Sequence, residues 1–481
     1  MILKALCDYY DHKRASMPGF GTKNVEISFV IVIDKEGSFV RFEDMRDEKK
    51  KRGTIFEVKR PEVRSSGVNP NFLYDNGGYV MALPDISKQP KKAGIEKIKQ
   101  DAFLQRIMKA LKKDPQNEIL MSLTSFLSKY ESPGIQASMQ QDSLWDEIKT
   151  NSAKNFSFRI ESDLEIIAEK KELIRLDNDL QQSSDPEMTC LITGEPCHPV
   201  ELTAATMIPD SKSNAKIVSF QTSQGYDSYG KSKCYNAPIS PEAEFKFSTA
   251  LLHLLRPDSK NKFSISNRTF LFWSSCTSAE TQDVLEQGLL SLFGSRDVSP
   301  DYGIEKIRRL FNSIYSGQLN ISDNDRFYIL GLSANAARIA VSYWDEMPLK
   351  DFAKNILQHF EDMEIVDTRL DKKPYSGLYS IVVSCISEEK VSDCKSKMPE
   401  LITKSIFSGT PYPTNMFLGC INRLRASKPL TITRAAILKA YLNRRKDNQQ
   451  KITTMLNPEN TNPGYLSGRL FAVIDKAQRQ A

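Results

Sequence analysis

Four histidines, His12, His198, His253 and His359, are all the imidazole this chain offers for acid–base work, and none stands in a metalloprotease pattern. No Walker-type or G-x-G-x-x-G phosphate loop is present. "CLITGEPCHPVE" sets Cys190, Cys197 and His198 close together, with Cys234 further on. Zinc sites favour C-x₂₋₄-C pairs and four ligands; here the spacing is six and no second pair follows. Buried cysteines beside a turn are the simpler reading, and three sulfurs with one histidine stay open as the alternative. Metal-dependent cleavage of nucleic acid needs clustered carboxylates. "SDNDRF" (322–327) supplies Asp323 and Asp325, but Asp before Asn is also turn chemistry. These acids define an enzyme alternative, a nuclease or RNA-processing activity. No catalytic residue, metal or cofactor is expected.

Polar and basic segments carry a stronger signal. "RSSGVNPNFLYDN" (64–76) combines Gly67 and Pro70, which stiffen and turn the chain, with Asn69, Asn71 and Asn76, whose amides both donate and accept. A side-chain amide can read a base edge; turn chemistry alone also explains the composition. Residues 46–64 hold eight Lys/Arg against four acids, among them Lys49, Lys50, Lys51, Arg52 and Arg64. "SFQTSQGYDSYGKSKCYNAPIS" (219–240) contains little that belongs in a core. Tyr226, Tyr229 and Tyr235 suit stacking on bases, Lys231 and Lys233 suit phosphates, and Asn236 suits sugar or base. In "LSANAAR", Asn335 and Arg338 flank a tight strand connection where a phosphate fits; a β-hairpin with Arg338 facing water, and Ile339, Val341 and Tyr343 turned inward, is the equal alternative.

The formal charge of +6 over 481 residues is modest, but it is unevenly spread. From Leu401 to Lys446 there is no Asp or Glu, while Lys404, Arg423, Arg425, Lys428, Arg434, Lys439, Arg444, Arg445 and Lys446 fall there. Such a field implies a polyanionic partner more strongly than the whole-chain balance does. The longest apolar run, "ISFVIVI" (27–33), is far too short to span a membrane, and "MILKALCDYYDHKR" lacks the apolar centre of a signal peptide. Eight cysteines without framework spacing suit a reducing cytoplasm. A cytoplasmic protein with no membrane partner is expected.

The elements that must position these residues read as α+β. "VEISFVIVIDKEGSFVRF" (25–42) predicts two strands joined at "DKEG", and "GGYVMAL" (77–83) a third. Leu104, Ile107, Met108 and Leu111 recur at helical period. The stretch 148–188 reads as polar helix ending in a linker. Strands follow at 215–220, 267–275, 326–333 and 338–344, with helix between them, as at 282–293. From about Pro399 only helices are expected, one capped by Thr431 or Thr433 with Ile437, Leu438, Tyr441 and Leu442 as its apolar stripe. Another places Leu466, Leu470, Val473, Ile474 and Ala477 on one face. Three parts result: 1–188, 189–398, and a helical bundle at 399–481.

Nine segments in this order resemble the large subunit of the type I-C CRISPR surveillance complex (Cascade). They are "MILKALCDYYD", "ISFVIVIDKEG", "RSSGVNPNFLYDNGGYV", "CLITGEPC", "IVSFQTSQGYDSYGKSKCYNAPIS", "LFWSS", "FYILGLSANAARIAVSYW", "RAAILKAYLNRR" and "GYLSGRLFAVIDKAQ". Each is weakly specific; the ordered set spans essentially the whole chain.

The resemblance implies a non-catalytic subunit that sits near the 5′ handle of the guide RNA. It implies recognition of the short protospacer-adjacent motif (PAM) in double-stranded target DNA, help in opening the duplex into an R-loop, and a docking surface for the recruited helicase–nuclease. The other Cascade subunits (backbone, handle-binding and small) are further implied partners. Sequence beyond the motif is then read by RNA–DNA pairing. On this reading Lys49, Lys50, Lys51, Arg52, Arg64, Ser65, Ser66, Asn69, Asn71 and Asn76 face the motif-bearing duplex. Tyr229, Lys231, Lys233, Asn236, Asn335 and Arg338 face guide RNA or DNA backbone. Arg423, Arg425, Arg434, Lys439, Arg444 and Arg445 lie on helices that track the strands. The chain departs from the family pattern in two ways: it stops where further helices are expected, so the bundle reads as incomplete, and Ala334 stands where a proline is expected. A structural scaffold without motif reading is the remaining alternative.

Overall fold

The computed structural model describes residues 1–49, 52–62, 64, 67–85, 94–180, 187–220, 227, 229–265, 267–276, 278, 281–282, 285, 289, 308–309, 311–316, 322–335, 338–366, 377–386, 397–426, 429–445 and 451–480. In chain order come α1 (Ile2–His12), β1 (Thr22–Ile27), β2 (Phe29–Ile33), β3 (Phe39–Asp44), β4 (Thr54–Lys59), β5 (Tyr74–Asn76) and α2 (Gly77–Val80). Next are α3 (Ile95–Lys113), α4 (Glu118–Lys129), α5 (Pro133–Gln141), α6 (Trp145–Thr150), β6 (Asn155–Ile160) and α7 (Lys171–Leu180). The short pair β7 (Met188–Thr189) and β8 (Pro196–Cys197) precedes α8 (Pro241–Leu255), β9 (Lys262–Ile265), β10 (Arg268–Ser274), β11 (Arg326–Asn335) and β12 (Arg338–Pro348). Helices finish the chain: α9 (Leu349–Met363), α10 (Leu378–Cys385), α11 (Met398–Ser408), α12 (Thr414–Arg425), α13 (Ile432–Asn443) and α14 (Pro463–Gln480). The class is α+β, and the chain forms two units.

One unit comprises 13–204 and 220–249. Its sheet runs β3-β2-β6-β5, with β2 parallel to β6 and antiparallel to β3. All five residues of β2, "FVIVI", are buried, as expected of a central strand covered on both faces. Phe103 and Ile107 of α3, and Leu123 and Phe126 of α4, belong to the same core. The predicted turn at Asp34–Gly37 is present, with Gly37 at φ 81°. A Cβ there would stand 2.5 Å from the Ser122 carbonyl, so glycine is required. "GGYV" is helix α2 rather than the expected strand. The Asn76 side-chain Oδ1 accepts the Gly78 amide at 3.0 Å and caps it, and Gly77 passes so close to Ser152 that a Cβ would meet its carbonyl at 2.9 Å. Within the stretch read as helix, 148–188, "NFSFRI" is strand β6.

The other unit comprises 1–12, 205–219 and 250–481. Its sheet, β12-β11-β10-β9, is antiparallel throughout. The expected strand at 215–220 is reduced to one bridge between Lys216 and Arg338. Phe270, Phe272 and Phe327 point from the sheet into a core shared with Phe352, Ile402, Phe407, Ile437 and Ala440 of the helices. Phe327 and Phe352 stack with centroids 3.7 Å apart. Thr431 caps α13, its hydroxyl accepting the Arg434 amide at 3.3 Å. Most of the helix expected at 282–293 lies outside the described residues. No helix among the described residues is long and apolar enough to cross a membrane.

Candidate nucleic-acid interface

The 64–76 loop is fixed from inside its unit. Asp75, fully buried, accepts the Asn71 amide at 2.8 Å and pairs with the Arg64 guanidinium. Arg64 also donates to the Asn69 carbonyl at 2.7 Å and lies over the Tyr79 ring at 4.4 Å. Burial pushes the Asp75 carboxyl up, against the opposing pull of Arg64 and the two amides it accepts. Asn71 is only 7% exposed; its side-chain Oδ1 accepts the Glu62 amide at 3.0 Å. Asn76 is spent on the cap of α2. A second clamp comes from α3: Arg106 donates to the Pro70 carbonyl and pairs with Glu62 at 2.6 Å and Asp177 at 2.8 Å. Lys59 joins Asp177 at 3.1 Å, and burial, partly offset by Asp177, lowers the Lys59 amine.

This arrangement turns Asn71 and Asn76 inward, leaves Asn69 half-buried and leaves Gly67 exposed at the loop tip with φ 84° and open space around it. Arg106, Asp75 and Asp177, which hold the loop, were not visible as site residues in the sequence. Asp75 meets Arg64 and Asn71 locally, but Arg106 is 71 residues from Asp177, and Lys59 is further from it still. Lys49 and Arg52 are exposed at the β3–β4 turn, closed by a 2.7 Å bond from the Asp47 amide to the Arg52 carbonyl. Lys50, Lys51, Ser65 and Ser66 lie outside the described residues.

In the 219–240 segment, Tyr229 is 97% exposed with φ 54°, next to Gly230 at φ 68°. A bulky residue in the left-handed region is uncommon and costs conformational energy, so the turn holds an aromatic ring in water against its backbone preference. Lys231 is exposed beside it. Lys233 pairs with Glu201 at 2.9 Å, and the Asn236 amide donates to the Lys231 carbonyl at 2.7 Å. Tyr226 lies outside the described residues. The β11–β12 hairpin pairs Asn335 with Arg338, both exposed. Ile339 and Tyr343 are buried as the hairpin reading expects, whereas Val341 is exposed beside the register shift at Gly331/Leu332.

The basic helices divide. Lys439 donates to three carbonyls at the end of α9, those of Glu361 (2.9 Å), Asp362 (3.3 Å) and Glu364 (2.9 Å). It is a cation on a helix C-terminus, where the macrodipole favours one. Arg434 donates to the Pro429 carbonyl at 2.6 Å. Arg444 pairs with Asp362 at 2.5 Å, donates to the Ser405 and Thr410 carbonyls, and covers the Tyr412 ring at 4.2 Å. Arg425 and Arg445 are exposed and Arg423 is half-exposed.

The acids of the enzyme alternative are engaged in a turn. Asp323 pairs with Lys350 at 2.5 Å, whose hydrogen bond and charge lower its carboxyl, and Asp325 accepts the Ser322 amide at 3.0 Å. Among the described residues no group of three His, Cys, Asp or Glu stands close enough to hold a metal ion.

The sequence model of a family described as CRISPR-associated protein (Cas_Csd1) matches residues 6–481, nearly the whole chain. No curated protein matches.

Proposed function

Because the chain belongs to the Cas_Csd1 family of CRISPR-associated proteins, we propose that it is the non-catalytic large subunit of a type I-C Cascade in the cytoplasm. In this role it binds the guide RNA near its 5′ handle, reads the PAM in double-stranded target DNA, promotes the R-loop and receives the helicase–nuclease. The family match over 6–481 carries the reading. The loop at 64–76 supports it physically: a recognition loop must be held in shape before it meets DNA, because ordering it on contact would cost affinity. Here Arg64–Asp75 and the Arg106 clamp do that holding and leave Gly67 at the tip.

In this proposal Asn69, half-buried two residues from the tip, makes the base-edge contact, and Lys49 and Arg52 supply salt-dependent attraction to phosphates. Tyr229 stacks on a base of guide or target and Lys231 neutralises its backbone, with Asn335 and Arg338 on phosphate. Arg423, Arg425 and Arg445 face the strands.

The test is the affinity of the reconstituted, guide-loaded complex for two duplexes that share the guide-matched sequence but carry a permissive or a scrambled flanking motif, at two salt concentrations. Preference for the permissive motif that disappears when this chain is omitted is the expected result. Binding that survives omission, with no preference, would make the chain a scaffold.

A further inference from the structure

Two buried cysteines share one face of a short hairpin. β8 pairs with β7 so that Cys197 faces Met188 and Pro196 faces Thr189. The Cys190 amide donates to the Glu195 carbonyl at 2.8 Å, and the Gly194 amide to the Cys190 carbonyl at 2.9 Å. That register puts Cys190 and Cys197 on one face as diagonal neighbours. The Cys190 sulfur also accepts the Ser240 amide at 3.3 Å. Burial pushes the Cys190 thiol up. Hydrogen bonds from the Thr193 hydroxyl and from the Ser240, Thr193 and Ile192 amides outweigh it and bring the thiol down to about 7. Burial and the adjacent Cys190 push the Cys197 thiol up.

A nucleophilic sulfur on the same hairpin face as a second, protonated thiol is the arrangement of an attacking and a resolving cysteine. Residues 193–196 of the turn above them are exposed, so a small oxidant has a short path. We propose that Cys190 and Cys197 form a reversible dithiol–disulfide pair that reacts with hydrogen peroxide. The Cys190 thiolate attacks the O–O bond, which breaks. Cys190 becomes the sulfenic acid, and the departing hydroxide takes a proton to leave as water. Cys197 then attacks the Cys190 sulfur and expels hydroxide, which takes the Cys197 proton and leaves as a second water. Two thiols and one peroxide give one disulfide and two waters. The clasp is tied to its surroundings: the Leu191 amide donates to the Pro238 carbonyl at 2.9 Å, and the Ser240 hydroxyl accepts the Ala243 amide at 3.1 Å, capping α8. Oxidation therefore alters what anchors the segment that follows Tyr229.

The test uses the full chain, reduced, freed of reductant, titrated with hydrogen peroxide, blocked with N-ethylmaleimide and mapped by mass spectrometry. The expected product is a Cys190–Cys197 cross-linked peptide, reversed by dithiothreitol, formed before the other six of the eight thiols change. Alkylation of Cys190 by iodoacetamide should titrate near neutral pH, and in Cys197→Ser dimedone should label Cys190. Alkylation of both thiols intact after peroxide has oxidised other cysteines would overturn the proposal. So would a stoichiometric zinc ion that must be chelated before either reacts. The wild-type mapping decides the matter even if a variant fails to fold.

Discussion

Arg444 and Asp362, eighty-two residues apart, pair at 2.5 Å with side chains only 6% and 5% exposed. A pair this buried is weak evidence of net stabilisation, but removing one partner strands the other charge in a dry site. Arg444→Met should therefore destabilise the protein by roughly 3–5 kcal/mol, and Asp362→Asn added to it should recover part of the loss. Urea denaturation checks this. A change within about 0.5 kcal/mol, the range of an ordinary surface substitution, would show that Arg444 is not the internal clamp described.

His359 should make stability depend on acid. It is fully buried and bonded to the Tyr412 hydroxyl at 2.7 Å. Burial, helped by the nearby Arg444 charge, pushes the imidazole down to about 3. Between that value and the ordinary pKa of about 6.5, the unfolded chain binds the proton and the folded chain does not. The fold thus keeps this contribution above about pH 6.5 and loses it as pH falls. From pH 7.5 to 5 the loss should be about 2 kcal/mol. Denaturation curves of wild type and His359→Gln should converge by that amount; parallel pH profiles would refute the assignment.

The two asparagines of the 64–76 loop should separate. Asn71 is buried with its side-chain Oδ1 on the Glu62 amide at 3.0 Å, so Asn71→Ala should cost about 1–3 kcal/mol of stability and weaken permissive and scrambled duplexes alike. Asn69→Ala leaves the clamp intact. If Asn69 reads a base, it should cost about 1–3 kcal/mol on the permissive motif and little on the scrambled one. Paired titrations of both variants read this out, and equal losses for Asn69→Ala would remove the base-reading role.

Much of the fold was legible because periodicity is local. β2, β10, the β11–β12 hairpin, α3 and α13 stand where apolar alternation or a 3.6-residue stripe put them. What was not legible depends on contacts distant in sequence. "GGYV" reads as a strand until Asn76 caps it and Ser152 closes over Gly77. "NFSFRI" is hidden in polar surroundings and is a strand because β2 pairs with it. The acid-free window from 401 to 446 reads as a free basic face. Arg444 instead finds its acid at Asp362, outside the window, and Lys439 finds carbonyls at the end of α9. Charge pattern gives the number of cations, not the direction in which they point.

Direction decides the last prediction. Lys49 and Arg52 are exposed at the β3–β4 turn, and no ion pair engages their side chains among the described residues. If they meet phosphates, each released counterion contributes to the salt dependence of binding, close to one unit of slope per contact on duplex DNA. Lys49→Ala with Arg52→Ala should then flatten the plot of log affinity against log salt by about two units, equally for both flanking motifs and with little change in stability. Lys439→Met, by contrast, removes a cation that three carbonyls already hold. It should lower stability by roughly 1–3 kcal/mol while leaving the slope of the folded complex unchanged. Affinities measured at four salt concentrations separate the two. A slope that responds to Lys439 and not to the turn would place the phosphate contacts on the helices instead.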